Sequence, residues 1–303
     1  MTSPFDPPRS APPGLLIAGC GELGLELASQ ASAAGWRVLG LRRRPPPGPA
    51  PLTWIAGDVA ALDPRRLPFA PDAVVYAVSA GGRELERYRE AYLAGPLRLW
   101  TALEQGGAPA PRWLLVSSTA VWGRTDGGWV DEATPADPAD PFAELLLAGE
   151  TALAERAQAR GARLSVCRAG GLYGPGRQSA IEAARRGRPL GPGAEGRFTN
   201  RIRIEDAAAA LRFVLERPEP APCYALVDRE PASELEFYRF LAQGLGLAEP
   251  RLLPVGSPSE PDLPGRSGNK RVRPSRLIEA GFRWRFPTYR EGYGDLLRRG
   301  GRP

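Results

Sequence analysis

The sequence has no histidine and almost no lysine. Its 303 residues include 40 basic side chains, and because only Lys270 is a lysine, 39 of them are arginines. The absence of histidine excludes Ser-His-Asp and Cys-His triads, imidazole general bases and metal sites that contain histidine. Any mechanism that needs a lysine must use Lys270.

Cysteine is also scarce. The three cysteines, Cys20, Cys167 and Cys223, are widely separated and form no C-x-x-C pair. This spacing favours reduced thiols in the cytoplasm and gives neither a disulfide framework nor a metal site. We therefore predict a cytoplasmic protein with no bound metal.

Long apolar runs and basic runs laced with aromatic residues are missing as well. No stretch approaches the ~18 apolar residues of a membrane span, and the run that ends before Cys20 is too short for the core of a signal peptide. The arginines are interleaved with 34 acidic residues, so the net charge of +6 is not gathered into a stripe. We predict neither a nucleic-acid partner nor a membrane partner.

What the sequence does contain is an alternation of short apolar runs and helical segments, with 43% hydrophobic residues in all. Strands are predicted at residues 14–18, 36–41, 52–55, 73–78, 113–117 and 163–168. Helices are predicted at residues 24–34, 83–103 and 142–160, and shorter ones near 181–185, 205–216, 234–245 and 276–280. Repeated strand–helix units predict an α/β fold with a doubly wound parallel Rossmann sheet.

The first chemical signal is a glycine motif directly after the first predicted strand. Residues 19–24 read G-x-G-x-x-G and open a predicted helix. The glycines permit a tight turn and a close backbone approach to a pyrophosphate, which rests on the helix N-terminus. The motif predicts dinucleotide binding; the alternative is a turn that merely packs closely. The residues expected to bind the cofactor here are Gly19, Cys20, Gly21, Glu22, Leu23 and Gly24.

The end of the second predicted strand bears on the choice of cofactor. NAD-binding chains place an acid about 20 residues after the motif to hold the ribose 2′-OH. Here the strand is followed by Arg42, Arg43 and Arg44, and no acid is available. Because arginine forks match a 2′-phosphate, we expect Arg42 and Arg43 to select NADP, with NAD as the alternative. The competing interpretation is three solvated arginines in an arginine-rich chain.

Further segments make the chain similar to the extended short-chain dehydrogenases, the NAD-dependent epimerase/dehydratase superfamily. Residues 117–123 (SSTAVWG) resemble its S-S-x-x-V-Y-G segment, and residues 168–177 (RAGGLYGPGR) resemble its R-x-x-x-x-Y-G-P-G-R segment. Weaker matches occur at Gly57-Asp58, Asp131-Glu132 with Pro135, and residues 200–206. Residues 269–272 and 289–292 resemble an atypical branch described as nucleotide-sugar epimerases. The resemblance spans about residues 14–297.

The resemblance implies an NAD(P)-binding Rossmann fold and extends the set of expected cofactor-binding residues. It adds Asp58 and Val59 after the third strand, and Ala77, Val78 and Ser79 after the fourth.

The resemblance fails at the family's acid–base pair, Tyr-x-x-x-Lys on the helix after the fifth strand. Alignment on Glu150 puts Phe142 at the tyrosine position and Leu146 at the lysine position. Phenylalanine cannot donate a proton, and leucine cannot perturb a pKa. The active site is therefore degenerate in this respect.

Ser118 and Tyr173 are the remaining catalytic candidates. Ser118 matches the family serine that hydrogen-bonds the substrate oxygen; the alternative is a strand-end serine that caps its own loop. Tyr173 matches a position on the cofactor loop, where a tyrosine more often packs than reacts. Tyr92, Tyr76 and Glu144 are conceivable replacement acids, although we expect Tyr76 in the core and Glu144 in solvent.

Three segments are predicted along the chain. Residues 1–13 form a Pro-rich tail that we expect to be disordered. Residues 14–170 form the NAD(P)-binding Rossmann domain. Residues 171–303 form a small C-terminal α+β region that contributes a substrate lid within the same compact unit. Basic residues around this lid suit a phosphorylated substrate or are simply surface charge: Arg177, Arg201, Arg203 and Arg266.

Three functions remain open at this point. The first is an NADP-dependent oxidoreductase or nucleotide-sugar epimerase/dehydratase acting on a small or nucleotide-linked carbonyl or alcohol. The second is a non-catalytic NADP-binding sensor or scaffold. The third is an isomerase or dehydratase-like enzyme that uses the cofactor only to orient its substrate. A homodimer through the fourth and fifth helices is compatible with the apolar run at residues 145–147.

Overall fold

The computed structural model describes residues 11–107, 111–255 and 268–300. Most of the predicted Pro-rich tail and Arg266 lie outside the described residues.

The strands are β1 Gly14–Ala18, β2 Arg37–Arg42, β3 Thr53–Ala56, β4 Ala73–Tyr76, β5 Arg112–Ser118, β6 Trp129–Val130, β7 Leu164–Ala169, β8 Gly171–Tyr173, β9 Phe198–Thr199, β10 Arg201–Arg203, β11 Cys223–Leu226, β12 Ala232–Ser233 and β13 Arg271–Val272. The α-helices are α1 Glu22–Ala33, α2 Leu85–Tyr88, α3 Gly95–Gln105, α4 Pro141–Ala159, α5 Ser179–Arg185, α6 Ile204–Glu216, α7 Glu234–Leu245, α8 Ser275–Glu279 and α9 Tyr289–Gly300.

Seven of these strands form one parallel sheet. Their order is β3-β2-β1-β4-β5-β7-β11. The chain runs outward in one direction from β1 to β3 and in the other from β4 to β11, so the strand order reverses between β1 and β4. Open α/β sheets bind ligands at such a reversal, outside the carboxyl ends of the strands. The predicted α/β fold with a parallel Rossmann sheet is confirmed.

Helices cover both faces of the sheet, which explains why β1 is apolar at every position. Leu15 and Ile17 belong to the core shared with α1 and α6, while Leu16 and Ala18 belong to the core shared with α3 and α4. Successive side chains of a strand point to opposite faces, so each face receives alternate residues of β1.

The sheet continues beyond the boundary that the sequence suggested at residue 170. β11 is its outermost strand beside β7, and α6 packs against α1, although both elements lie in the predicted C-terminal region. β11 was not predicted because this strand is only four residues long and follows a proline-rich loop at residues 218–222.

The rest of the C-terminal region has an apolar core of its own. Phe237 of α7 lies among Tyr289 and Tyr293 of α9, which the sequence analysis did not predict, and Ile181 of α5 joins the same cluster. The short pairs β8–β10 and β9–β12 complete this α+β arrangement. Its role as a substrate lid stays a prediction.

The single helix predicted over residues 83–103 is interrupted. A π-helical turn at Arg89–Ala94 separates α2 from α3. Pro96 lacks the N–H that would bond to the carbonyl of Tyr92 four residues earlier. Gly149 of α4 approaches this carbonyl so closely that a Cβ at position 149 would lie 1.9 Å from the Tyr92 oxygen. The proline thus frees a carbonyl, and the glycine lets α4 pack against it.

A buried ion pair fixes α4 to the sheet. The carboxylate of Glu150 accepts hydrogen bonds from Arg168 of β7, the shortest of them 2.7 Å from Nη2 to Oε2. Glu150 also accepts a hydrogen bond from the hydroxyl of Ser117 in β5. The Arg168 guanidinium lies 4.6 Å from the ring centroid of the buried Trp122. Three elements of the fold therefore meet at one carboxylate.

Replacing this carboxylate should destabilise the fold strongly. Glu150→Gln leaves the Arg168 charge buried without its counter-ion, and we expect a loss of about 3–5 kcal/mol in the free energy of unfolding. Urea denaturation measures the change. Glu144→Gln, on the exposed side of the same helix, is the matched control and should change stability by less than about 0.5 kcal/mol. Equal stability of the Glu150→Gln variant and the native chain would contradict the structural role of the pair.

Candidate active site

Two adjoining cavities lie at the carboxyl ends of β1, β4 and β5, at the reversal of strand order. Their volumes are about 340 Å³ and about 790 Å³. Gly19, Gly21, Val78 and Ser79 line both cavities, so the two form one continuous groove. We call the larger cavity the β2 end and the smaller cavity the β5 end of the groove.

The glycine turn sits at the middle of the groove. Gly19 has a φ of +78°, and a Cβ there would lie 2.5 Å from the backbone of Val78. A Cβ on Gly21 would meet only the Gly19 carbonyl oxygen, at 4.0 Å, so position 21 faces open space. The helical bond from the N–H of Leu25 to the Gly21 carbonyl is 2.8 Å long, which leaves the N–H groups of Glu22–Gly24 ahead of the helical ladder. Gly21, the N-cap, contributes no side-chain hydrogen bond, and the terminus is suited to a pyrophosphate.

Cys20 is the predicted cofactor residue whose side chain turns away from the groove. Its side chain is completely buried, and its N–H donates to the Leu41 carbonyl at 3.2 Å. Burial raises the pKa of the Cys20 thiol to about 12. That Cys20 binds the cofactor stays a prediction, and the contact would have to come from its backbone, because the side chain points back towards Gly40 of β2.

The β2 end of the groove collects charged residues from two strands. Arg42, Arg43 and Arg44 line it, and none of the three forms an ion pair within the described residues. Asp58 and Val59, which follow β3, line the same cavity. Asp58 accepts a hydrogen bond of 2.9 Å from the N–H of Ala60 and so caps a short 3-10 turn.

The β5 end contains Ser118 beside the start of α4. Ser118 lines the groove, and its hydroxyl oxygen accepts a 3.1 Å hydrogen bond from the N–H of Ala120. Ser118 therefore caps its own loop, and its bond to a substrate oxygen stays a prediction, because a hydroxyl that accepts a bond in its own loop can still donate its proton elsewhere. Asp140 accepts bonds from the N–H groups of Phe142 (2.8 Å) and Ala143 (3.0 Å), which fixes the first turn of α4.

The positions of the family's acid–base pair form an apolar wall of the groove. Phe142 and Leu146 both line it. The Phe142 ring packs edge-on against Tyr88, with ring centroids 4.8 Å apart, and the Arg83 guanidinium lies 4.7 Å from the same centroid. The groove thus holds an aromatic ring and an aliphatic side chain where proton transfer would need a tyrosine and a lysine.

Tyr173 does not reach this part of the groove. Its side chain is 2% exposed, and its ring stacks on Tyr293 at a centroid distance of 4.1 Å. A Cβ at Gly292 would lie 1.8 Å from the Tyr173 hydroxyl, so the absence of a side chain there lets α9 close over the ring. Burial raises the pKa of Tyr173. Tyr173, a catalytic candidate from the sequence, is therefore corrected to a packing residue.

Tyr92 is the alternative acid that does line the groove. Its hydroxyl takes part in a hydrogen bond with the backbone of Ala80, and burial, followed by the neighbouring Tyr88, raises its pKa. Tyr76 is a core residue as expected, because its hydroxyl donates to the Ala91 carbonyl at 2.8 Å. Glu144 is exposed, also as expected.

The basic residues expected around a substrate lid separate into two groups. Arg203 is fully buried and pairs with Glu205 (3.0 Å) and Asp295 (2.8 Å), so it ties β10 to α9. Arg201 is buried with its guanidinium 3.4 Å from the Phe237 centroid. Arg177, by contrast, lines the groove.

Several residues of the groove were not predicted. Asp140 followed by Pro141 carries a readable signal, since an acidic N-cap and a proline at the first helical position mark a helix start. Arg83 and Tyr88 carry no such signal. They reach the groove only because the loop after β4 and the helix α2 pass over Phe142.

Two further findings concern membrane-spanning helices and metal-binding clusters among the described residues. None of its helices has both the length and the apolar character needed to cross a membrane. Nor does the part that the structure covers gather three or more Cys, Asp or Glu side chains in a way that could hold a metal ion.

Comparisons with known proteins agree with this arrangement. The chain is 28% identical over 280 residues to Protein YeeZ of Escherichia coli K12, covering 89% of this chain and 95% of that protein. A solved structure from Methylobacillus flagellatus, provisionally described as an NAD-dependent epimerase/dehydratase, is 32% identical, with a TM-score of 0.75 and coverage of 95% of this chain and 98% of the other. MoeE5, solved in complex with UDP-glucuronic acid and NAD, is 26% identical, with a TM-score of 0.74 and coverage of 95% and 99%.

The family profile described as the NAD dependent epimerase/dehydratase family matches residues 15–224. This range contains the glycine turn, the whole parallel sheet apart from two terminal residues of β11 and the first residue of β1, and the helix that carries Phe142 and Leu146. The chain therefore belongs to the NAD-dependent epimerase/dehydratase family, whose members are extended short-chain dehydrogenases with an NAD(P)-binding Rossmann fold.

Proposed function

We propose that the groove binds NADP(H) and presents its nicotinamide end to a small or nucleotide-linked carbonyl or alcohol. One observation carries this proposal. The N-terminus of α1 has no side-chain cap and lies beside Gly21, which faces open space at the middle of the groove. Arginines line one end of this groove, and Ser118 lines the other. Glu22, Leu23 and Gly24 would then hold the pyrophosphate with their N–H groups.

The arginines favour NADP over NAD. Arg42 and Arg43 are exposed at the β2 end without ion-pair partners among the described residues, and they lie where a ribose 2′-phosphate would be recognised. MoeE5 is solved with NAD, so the family relationship by itself does not favour NADP. The preference rests on the side chains of this chain.

At the β5 end, Ser118 would donate a hydrogen bond to the substrate oxygen, while Ala77, Val78 and Ser79 line the groove beside it. A bound nicotinamide supplies or accepts a hydride. Phe142 and Leu146 exclude water from this end but transfer no proton. Positioning alone can still support slow turnover, because general acid–base catalysis typically contributes only about 10²–10⁴-fold. The complexes of MoeE5 make a nucleotide sugar one candidate substrate.

A second function is favoured by the same apolar wall. A protein that binds NADP(H) as a sensor or scaffold needs the glycine turn and the arginines but no proton donor. The loss of both members of the acid–base pair, with Phe142 packed between Tyr88 and Arg83, is compatible with this role.

Blocking the glycine turn should abolish cofactor binding without unfolding the chain. The side chain of Gly21→Val would occupy the open space assigned to the pyrophosphate. We expect no NADPH-induced thermal shift and a native Tm without ligand. Gly19→Ala is the contrasting variant: its Cβ meets the Val78 backbone at a φ of +78°, so it should lower the Tm itself. A Gly21→Val protein that still shows the native thermal shift would refute this use of the turn.

Removing the arginines should remove the discrimination between cofactors. In the native protein we expect NADPH to bind several-fold more tightly than NADH, and Arg42→Ala/Arg43→Ala to bring the two affinities together. Each charge-assisted contact to the 2′-phosphate is worth about 1.5–3 kcal/mol. Calorimetry gives both affinities, and equal affinities in the native protein would contradict the proposed preference.

Restoring the pair separates an impaired enzyme from a binding protein. Phe142→Tyr/Leu146→Lys should raise NADPH oxidation with a carbonyl panel if Ser118 and the cofactor are already placed for reduction. Ser118→Ala in that background should remove the gain. Native turnover at the roughly 1–10³ per second typical of enzymes would contradict the absence of an acid and direct attention to Tyr92→Phe.

A further inference from the structure

An ion pair joins the glycine turn to the loop that follows β8. Nε of Arg177 donates to Oε2 of Glu22 at 2.5 Å, although the two residues are 155 positions apart in the chain. Both line the β5 end of the groove, and their side chains are 47% (Glu22) and 48% (Arg177) exposed. The pair therefore stands at the surface of the groove, over the first turn of α1.

The backbone around Arg177 is held close to that turn. A Cβ on Gly176 would lie 2.4 Å from Oε1 of Glu22, so the loop passes directly over the carboxylate. The N–H of Arg177 donates to the Gly174 carbonyl at 2.9 Å, which closes the loop on itself. The guanidinium is thus placed by its own turn and oriented by Glu22.

The charges at this point need an explanation, because Glu22 puts an acid beside the place assigned to a pyrophosphate. A carboxylate is favourable at a helix N-terminus by itself but repels a second anion there. Arg177 offsets that charge. Arginine has five N–H donors in a planar fork, and the bond to Glu22 uses Nε. Nη1 and Nη2 form no hydrogen bond with any other residue that the structure describes, so their donors can bind an anion.

We propose that Arg177 binds the pyrophosphate of the dinucleotide and that Glu22 is a positioning residue that orients the Arg177 guanidinium over the glycine turn. This inference rests on the proposed function, since it assigns a further residue to the same cofactor. It adds a cation to the backbone N–H groups of the pyrophosphate site.

Arg239 of α7 provides a matched control that does not line the groove. Its Nε donates to Oε2 of Glu249 at 2.9 Å, and its side chain is 50% exposed, close to the value for Arg177. A general effect of positive charge on an anionic ligand would be lost in Arg239→Ala as well as in Arg177→Ala. A contact with the pyrophosphate would be lost in Arg177→Ala alone.

The test is calorimetry with two ligands, NADPH and adenosine 2′-monophosphate, which retains the 2′-phosphate but has no pyrophosphate. We expect Arg177→Ala to weaken NADPH binding about ten- to a hundred-fold and to leave adenosine 2′-monophosphate binding unchanged. Arg239→Ala should leave the affinity for NADPH within about two-fold of the native value. The Tm of each variant, measured alongside, should stay at the native value.

A double variant tests the effect of the Glu22 charge separately from its positioning of Arg177. In Arg177→Ala the carboxylate is left facing the pyrophosphate without its cation, so adding Glu22→Gln should recover part of the lost affinity. Native-like NADPH binding by Arg177→Ala, equal losses for the two ligands, or equal losses in Arg239→Ala and Arg177→Ala would each overturn the inference while leaving the proposed function standing. If the native protein binds neither ligand, the proposed function fails, and the inference fails with it.

Discussion

The site depends on one buried contact, the carboxylate–guanidinium pair between Glu150 and Arg168. It joins α4 to β7, and the hydroxyl of Ser117 joins β5 to the same carboxylate. The next residue of β5 is Ser118, and the start of α4 carries Phe142 and Leu146. The pair therefore decides where the serine and the apolar wall stand relative to each other. A buried ion pair of this kind is weak support for stability by itself, but it fixes one arrangement because either partner left alone in the core is costly.

One half of the groove has the residues that dinucleotide binding requires, whereas the other half lacks the tyrosine and lysine that proton transfer requires in this family. The first half has the positive φ of Gly19, the open position at Gly21 and, at the end of β2, arginines that form no ion pair with any residue the structure describes. The second half keeps the helix, its N-cap Asp140 and the spacing of the acid–base pair, with Phe142 and Leu146 in place of reactive groups. The scaffold of the family is thus retained around a site that needs another proton donor or no donor at all.

How far the sequence predicts this structure depends on whether a feature is local. β1 and α7 occur at the predicted bounds, because a short all-apolar run and a Ser233-x-x-Glu236 capping box are complete signals in themselves. The glycine turn is equally local. The π-helical turn has no complete local signal, because Gly149 of another helix packs against the Tyr92 carbonyl within it. β11 has none either, because its four residues become a strand only beside β7. Tyr173 was misplaced for the same reason: its burial is decided by Gly292, far along the chain. The ion pair between Glu22 and Arg177 could not be predicted, because neither the sequence around residue 22 nor that around residue 177 indicates it.

The most direct test of this account is a crystal structure of the protein soaked with NADPH. The account predicts density along the groove, with the pyrophosphate at the N–H groups of Glu22–Gly24, the 2′-phosphate within hydrogen-bond distance of Arg42 or Arg43, and the nicotinamide beside Ser118 and Phe142. A groove that stays empty at saturating NADPH, or a cofactor bound with its 2′-phosphate away from these arginines, would contradict it.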